Sequence, residues 1–367
     1  MLLVCTVSLQ TLPTMSQCKY EVYPSSLDSE LKLSAQFFVP DKPKPLCLFF
    51  HGWHGAAPGE MGTLLIKDYF VVSVDMRGRG KSSGTPDASG QELLDGLDAL
   101  DYARATWPQA VQPGSGLYVV GGSGGGGNTL ALVGKAPDLF TAAATWAGMS
   151  DYALWYQDDT RGHYRDEMEA KGWIGGTPKS NPDGYFSRGG INVIDNVLTS
   201  LLVIHGTKDG SVRVHHAERY EQAAKKLGKQ NVSMVYNGKG HDSKEWPRMM
   251  KYLRSAPPLP PLPTKGRLRL CSFLACRAFW LVPDSPACIA AVNYVLDPGG
   301  NLQFISFTQD KERIPAKNVR LRVFGPHAGI KVKMGAESMT PAPVAETGTY
   351  RDYRWDVHGN WTATVKR

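Results

Sequence analysis

The stretch GLYVVGGSGGGGNTLALV, residues 116–133, restricts the fold more than any other part of the chain. A β-branched run stops in glycine, Ser123 stands alone among six glycines over 121–127, and a helix-forming run follows at once. Glycine loses more backbone freedom on folding than any other residue, so this density requires a reason. A flexible linker would not be flanked so tightly by LYVV and TLALV. The pattern predicts a strained strand–turn–helix whose bend only glycine tolerates. Gly121 to Gly125 match G-x-S-x-G, in which a serine sits on a sharp elbow with its Oγ projecting above a sheet. The run lacks the G-K-[ST] ending of a phosphate loop and the glycine spacing of a dinucleotide fold.

The neighbouring chain supplies the sheet. Runs at 46–52, 69–75, 116–122, 140–148, 201–206 and 232–238 are apolar on both faces, as buried parallel strands are. Residues 90–107 and 215–228 carry apolar residues at helical spacing. This alternation predicts an α/β fold with helices on both faces of a mostly parallel sheet. SAPPLPPLPTKG, 255–266, then reads as an extended, semi-rigid linker. Beyond it NLQFISFTQD, NVRLRVFGP, GIKVKMG, YRDYRWDV and NWTATVK alternate with period two, which predicts a small all-β, sandwich-like domain over 267–367.

Charge divides at the same place. From Lys265 onward 15 basic residues face 8 acidic ones, which accounts for the whole net charge of +7. No nucleic-acid motif accompanies it, so a solvated face is expected rather than a polymer-docking one. Trp355 and Trp361 are read as sandwich core. No apolar run reaches the ~18 residues of a membrane span. Residues 1–18, MLLVCTVSLQTLPTMSQC, read as an extension without the basic start or small-residue cleavage site of a secretory leader, with Met15 an alternative start. The six cysteines show no paired metal spacing and no disulfide framework, a lean toward a reducing cytoplasm that leaves secretion open.

In an open parallel sheet, active groups gather beyond the carboxyl ends of the strands. Asp209 lies in the loop after the 201–206 run and His241 in the loop after 232–238. A serine hydroxyl needs a base, and the base an orienting acid. Ser123, Asp209 and His241 occur in the chain order of α/β-hydrolases. His205, His215 and His216 rival His241, but His205 falls on a strand and the other two open a helix. Asp242 rivals Asp209, although it reads better as the cap of the helix SKEWPRMMKYL. For a developing oxyanion the Gly124 N–H is one expected donor and the Trp53 N–H of FFHGWHG the other, with Gly52 in reserve. No metal or organic cofactor is implied.

FFHGWHG, VSVDMRGRGKS, GGSGGGG, the stretch INVIDNVLTSLLVIHGTKDGSVRVHHAERYEQAAKKLG and GKGHDS together resemble the catalytic domain of the prolyl oligopeptidase family, within the α/β-hydrolase superfamily. The resemblance runs from about Lys44 to Arg254, inside a catalytic domain read as 19–254. It implies a serine hydrolase that forms an acyl-enzyme, with Asp209 at the acid position. Family peptidases carry an N-terminal propeller that gates the site to short peptides. Only about forty residues precede the first core strand here, so no propeller is expected. A carboxylic ester, of carbohydrate or aromatic type, is therefore the expected substrate; a short peptide is the alternative, and a catalytically dead scaffold used for binding the second. Oligomeric state does not follow from the sequence. An insert over 147–196 carries Tyr152, Trp155, Tyr156, Tyr164 and Trp173 among charges. Trp155, Tyr156 and Trp173 are the candidate substrate-binding rings; anchoring of the insert to the sheet is the other reading.

Overall fold

All six of those apolar runs form strands of one eight-stranded sheet. The computed structural model describes residues 17–59, 61 and 63–366. The extension up to Ser16, Met15 included, lies outside the described residues. The sheet comprises β1 (Gln17–Pro24), β2 (Lys32–Val39), β3 (Leu46–Phe50), β4 (Phe70–Asp75), β5 (Tyr118–Gly122), β6 (Ala142–Trp146), β7 (Ser200–Gly206) and β8 (Val232–Asn237), in the order β1-β2-β4-β3-β5-β6-β7-β8. From β4 to β8 the pairing is parallel. The leading β1–β2 pair, missed in the sequence, is antiparallel and extends the edge beyond β4. Its first strand, QCKYEVYP, leaves most side chains exposed and so lacks a buried-strand signature.

Eight α-helices accompany the sheet among the described residues: α1 (Thr63–Asp68), α2 (Leu93–Thr106), α3 (Gly124–Lys135), α4 (Tyr152–Asp158), α5 (Arg165–Met168), α6 (Pro182–Arg188), α7 (His215–Lys226) and α8 (Trp246–Ser255). Leu97 and Leu100 of α2, Leu132 of α3 and Tyr220 of α7 share a core with Leu48, Phe50 and Val119 on one face. Leu65 of α1 and Met249, Met250 and Leu253 of α8 cover the other, against Cys47, Phe49 and Val120. The short helices α4, α5 and α6 constitute the insert between β6 and β7.

Two antiparallel sheets of five and six strands follow, beginning with β9 (Lys265–Cys271) and ending with the strand Trp361–Lys366. Trp355 and Trp361 are buried in their shared core. Phe273, Ala275, Trp280 and Val282 leave that core and join the cluster that covers α2 and α3. Burial of these rings ties the C-terminal sheets to the main one.

Lys135, the last residue of α3, lies fully buried in this contact. Its Nζ donates to the Ser89 carbonyl at 2.6 Å and faces Ser272 Oγ at 3.4 Å. Burial drives its pKa from 10.5 down to about 7. The unfolded chain therefore binds this proton between pH ~7 and ~10.5 while the folded chain does not, and stability rises with pH across that window. Urea unfolding at pH 7, 8 and 9 is expected to show wild type gaining stability relative to Lys135→Met. Parallel curves for the two proteins would refute the assignment.

Candidate active site

Ser123 occupies the one residue between β5 and α3, at φ 56° and ψ −120°. For a residue with a side chain this region costs on the order of 1–3 kcal/mol, and the neighbours hold it there. Its N–H donates to the Trp146 carbonyl at 2.9 Å, and its carbonyl accepts the Gly127 N–H at 3.0 Å. None of the six glycines has a left-handed φ; the serine alone carries it. A Cβ on Gly122 would fall inside the Trp146 indole, and one on Gly125 would lie 2.7 Å from the His51 carbonyl oxygen. The run exists for close approach, not for freedom at the bend.

The loops after β7 and β8 meet this serine. Ser123 Oγ lies 2.9 Å from His241 Nε2, to which its hydroxyl donates. On the far side His241 Nδ1 donates to Asp209, 2.8 Å from Oδ2 and 3.0 Å from Oδ1. The N–H groups of Ser211 and Val212 donate to Asp209 Oδ1 at 2.9 and 3.0 Å. Burial alone would raise the Asp209 pKa; the His241 hydrogen bond and these two donors outweigh it and hold the carboxyl below its usual range.

The rivals stand elsewhere. His205 is buried beside the acid, its Nε2 donating to the Val212 carbonyl at 2.8 Å. His215 and His216 face Asp158 instead of the serine. Asp242 is exposed and pairs with Lys244 at 2.6 Å. Its reading as a helix cap is corrected: α8 begins only at Trp246, four residues on, with Glu245 at the cap position.

The Gly124 and Trp53 backbones lie against each other, since a Cβ on Gly124 would come within 2.5 Å of the Trp53 nitrogen. One peptide, Gly52–Trp53, is fixed from behind. Its carbonyl accepts from His51 Nδ1 at 2.7 Å and from the Gly55 N–H at 2.9 Å. Carbonyl and N–H of a trans peptide point in opposite directions, so pinning the Gly52 oxygen turns the Trp53 N–H the other way. His51 Nε2 accepts the Met76 N–H at 3.1 Å, which sets the tautomer. Arg79 grips the Trp53 carbonyl through Nε at 3.0 Å and Nη2 at 2.9 Å. Sequence reading passed over both residues, although each lies in a quoted motif, His51 in FFHGWHG and Arg79 in VSVDMRGRGKS.

A cleft of about 290 Å³ opens over Ser123, with Phe49, Trp53, His54, Trp146 and Tyr164 among its walls. Of the three candidate rings none lines it. Trp155 is 1% exposed, donates to the Ser211 carbonyl at 3.0 Å and packs edge-on against Trp53, so it anchors the insert. Tyr156 donates to Glu169 at 2.5 Å and stacks edge-on against Tyr185. Trp173 lies under the Arg79 guanidinium and borders a hollow of about 20 Å³ beside Gly124. Tyr164, stacked on His54, is the insert's ring over the serine. Spacing along the insert carries no signal for which of its aromatic rings turns inward. Glu167 is taken up by Trp53 Nε1 at 2.5 Å and His54 Nε2 at 2.8 Å. A cleft of about 730 Å³ lies away from this site, beside Arg267, Arg269 and Arg313.

A model of the prolyl oligopeptidase family matches residues 59–255, more than half of the 367. The chain belongs to the prolyl oligopeptidase family. By family it is a serine hydrolase. Among curated relatives, the uncharacterized peptidase YtmA of Bacillus subtilis is 26% identical over 180 residues, 49% of this chain and 67% of that protein. The acylamino-acid-releasing enzyme of Arabidopsis thaliana is 28% identical over 165 residues, 41% of this chain and 20% of the plant protein. Acylaminoacyl peptidase of Pyrococcus horikoshii superimposes with a TM-score of 0.54 at 23% identity, over 65% of this chain and 40% of its own. An esterase of Pyrococcus furiosus gives a TM-score of 0.52 at 16% identity, over 66% and 92%. These likenesses establish the α/β-hydrolase fold of the family member. The chain thus spans two thirds or less of most of the relatives it matches, and those with this fold include both peptidases and an esterase.

Proposed function

We propose that the chain hydrolyses the acyl bond of small carboxylic esters through Ser123, His241 and Asp209. His241 Nε2 takes the hydroxyl proton as Ser123 Oγ attacks the acyl carbon. The oxyanion forms against the N–H groups of Gly124 and Trp53. His241 returns its proton to the departing alkoxide, leaving an acyl group on Ser123. Water then attacks that acyl carbon with His241 again as base, and serine is regenerated. Asp209 stays ionised and keeps His241 in the tautomer that presents Nε2. The unbroken Ser123–His241–Asp209 hydrogen-bond chain carries the reading. Such a chain also favours a working hydrolase over a dead scaffold.

Preference for an ester rests on the walls of the cleft. Phe49, Trp53, Trp146 and Tyr164 offer rings to an apolar or aromatic acyl group, and the Glu167 carboxylate is already paired with Trp53 and His54. Peptide cleavage is the second reading, favoured by the family and by the acylaminoacyl peptidase likeness. Fluorophosphonate labelling, followed by turnover of p-nitrophenyl esters, an N-acyl-amino-acid anilide and a prolyl amide, separates the two. Labelling with kcat/KM at least a hundredfold higher on esters is expected. Equal or faster anilide cleavage would replace the ester reading by the peptidase one, and failure to label would end both.

A further inference from the structure

The insert meets α7 at a cluster that the reaction does not use. Asp158 closes α4, and His215 and His216 open α7. Asp158 Oδ2 lies 2.5 Å from His215 Nε2 and 3.4 Å from His216 Nε2, and one ligand atom from each residue falls within 4.8 Å of the others. We propose that these three side chains bind one divalent transition metal of the zinc class, which clamps the insert to α7 beside the loop that carries Asp209.

His216 carries the inference. It is 0% exposed, and neither ring nitrogen has a hydrogen-bond partner among the described residues. A neutral imidazole brings one donor and one acceptor, and buried polar groups are ordinarily satisfied. His216 Nε2 instead approaches a carboxylate oxygen at a distance suited to sharing a cation. Zinc bonds of about 2.0–2.1 Å in tetrahedral geometry place ligand atoms roughly 3.3 Å apart, so the His216–Asp158 pair at 3.4 Å already stands at that spacing and the His215–Asp158 pair at 2.5 Å opens to it on binding. Two imidazoles and one carboxylate are a donor set that zinc, nickel and copper accept.

Arg213 lies 3.7 Å from the other carboxylate oxygen, Oδ1, so it opposes a cation only from the outer side and leaves Oδ2 directed inward. His215 is about one-third exposed, which leaves room for water as a fourth ligand.

Such a metal would act on the catalytic loop mechanically. Trp155, one turn before Asp158 on α4, donates to the Ser211 carbonyl, two residues beyond Asp209. Ser150, at the foot of the insert, donates to the His216 carbonyl at 2.8 Å. A clamp between α4 and α7 therefore encloses residues 209–214 on both sides.

The test uses the full chain after chelator treatment. Zinc is titrated calorimetrically, and cobalt is added while its visible d–d bands are recorded. One equivalent per chain is expected, with tetrahedral-type cobalt bands and a rise in melting temperature. His215→Ala and Asp158→Asn should each weaken binding at least tenfold. His215 is partly exposed, so that variant should fold, which retained fluorophosphonate labelling would verify. Absence of saturable binding by wild type, or equal binding by wild type and both variants, would overturn the proposal.

Discussion

Ser123→Ala is expected to lower kcat/KM on the best substrate by about 10⁴- to 10⁶-fold and to remove fluorophosphonate labelling, while far-UV circular dichroism and melting temperature hold. The magnitude follows from losing the group proposed to form the covalent bond, which leaves only binding and the proposed oxyanion donors. His241→Ala should cost about as much, because an unactivated hydroxyl is little better than none. Asp209→Asn keeps the shape but offers an amide where His241 Nδ1 needs an acceptor, and should cost roughly 10³- to 10⁴-fold. The three act as a unit, so Ser123→Ala with His241→Ala should be no slower than either alone. Steady-state kinetics on the four proteins decide. Retention of activity within tenfold of wild type in Ser123→Ala or His241→Ala would remove that residue from the mechanism.

Gly125→Ala is expected to destabilise the fold by roughly 3 kcal/mol or more, at the upper end of overpacking effects. The added Cβ would press on the Phe50 carbonyl group, 2.7 Å from its carbon, and lie 2.7 Å from the His51 carbonyl oxygen. Both partners are backbone. Neither can turn aside as a side chain would, so α3 must lift from the end of β3. That displacement also moves Gly124 away from Trp53 and separates the two proposed oxyanion donors. Stability and labelling rate should therefore fall together, measured by urea unfolding and by time-resolved fluorophosphonate modification. Gly114→Ala provides the control: its φ of 66° adds local strain, but no atom lies within 4 Å of the added Cβ. A Gly125→Ala protein with wild-type stability and labelling would contradict the close packing of α3 on β3.

Legibility varied with how directly a residue's neighbours in sequence determine its environment. LLVIHG and LCLFF are buried on both faces, so continuous hydrophobicity marks them as central strands. At the edge, QCKYEVYP has one buried side chain and is held largely by β2, whose partners no local pattern reveals. The stretch from Lys265 to Leu296 likewise contains four strands without clean alternation, because Phe273 and Trp280 pack away from the sandwich core into the main one. His51 and Arg79 were legible as motif letters but not as supports, since each acts on the Gly52–Trp53–His54 backbone and not on a substrate.

The amino-acid sequence by itself determined the mostly parallel sheet, the elbow at Ser123 and the order serine, acid, histidine, because strand burial and loop position are local in the chain. Only the tertiary structure decided which rings face the serine. Trp155 and Tyr164 stand nine residues apart in one insert, yet the first is sealed against Trp53 and the Ser211 carbonyl while the second overhangs the cleft. It also brought His216 to Asp158, 58 residues away, and left its ring nitrogens without partners. Packing of distant segments fixes the direction of a side chain, and no spacing along a single stretch carries that information.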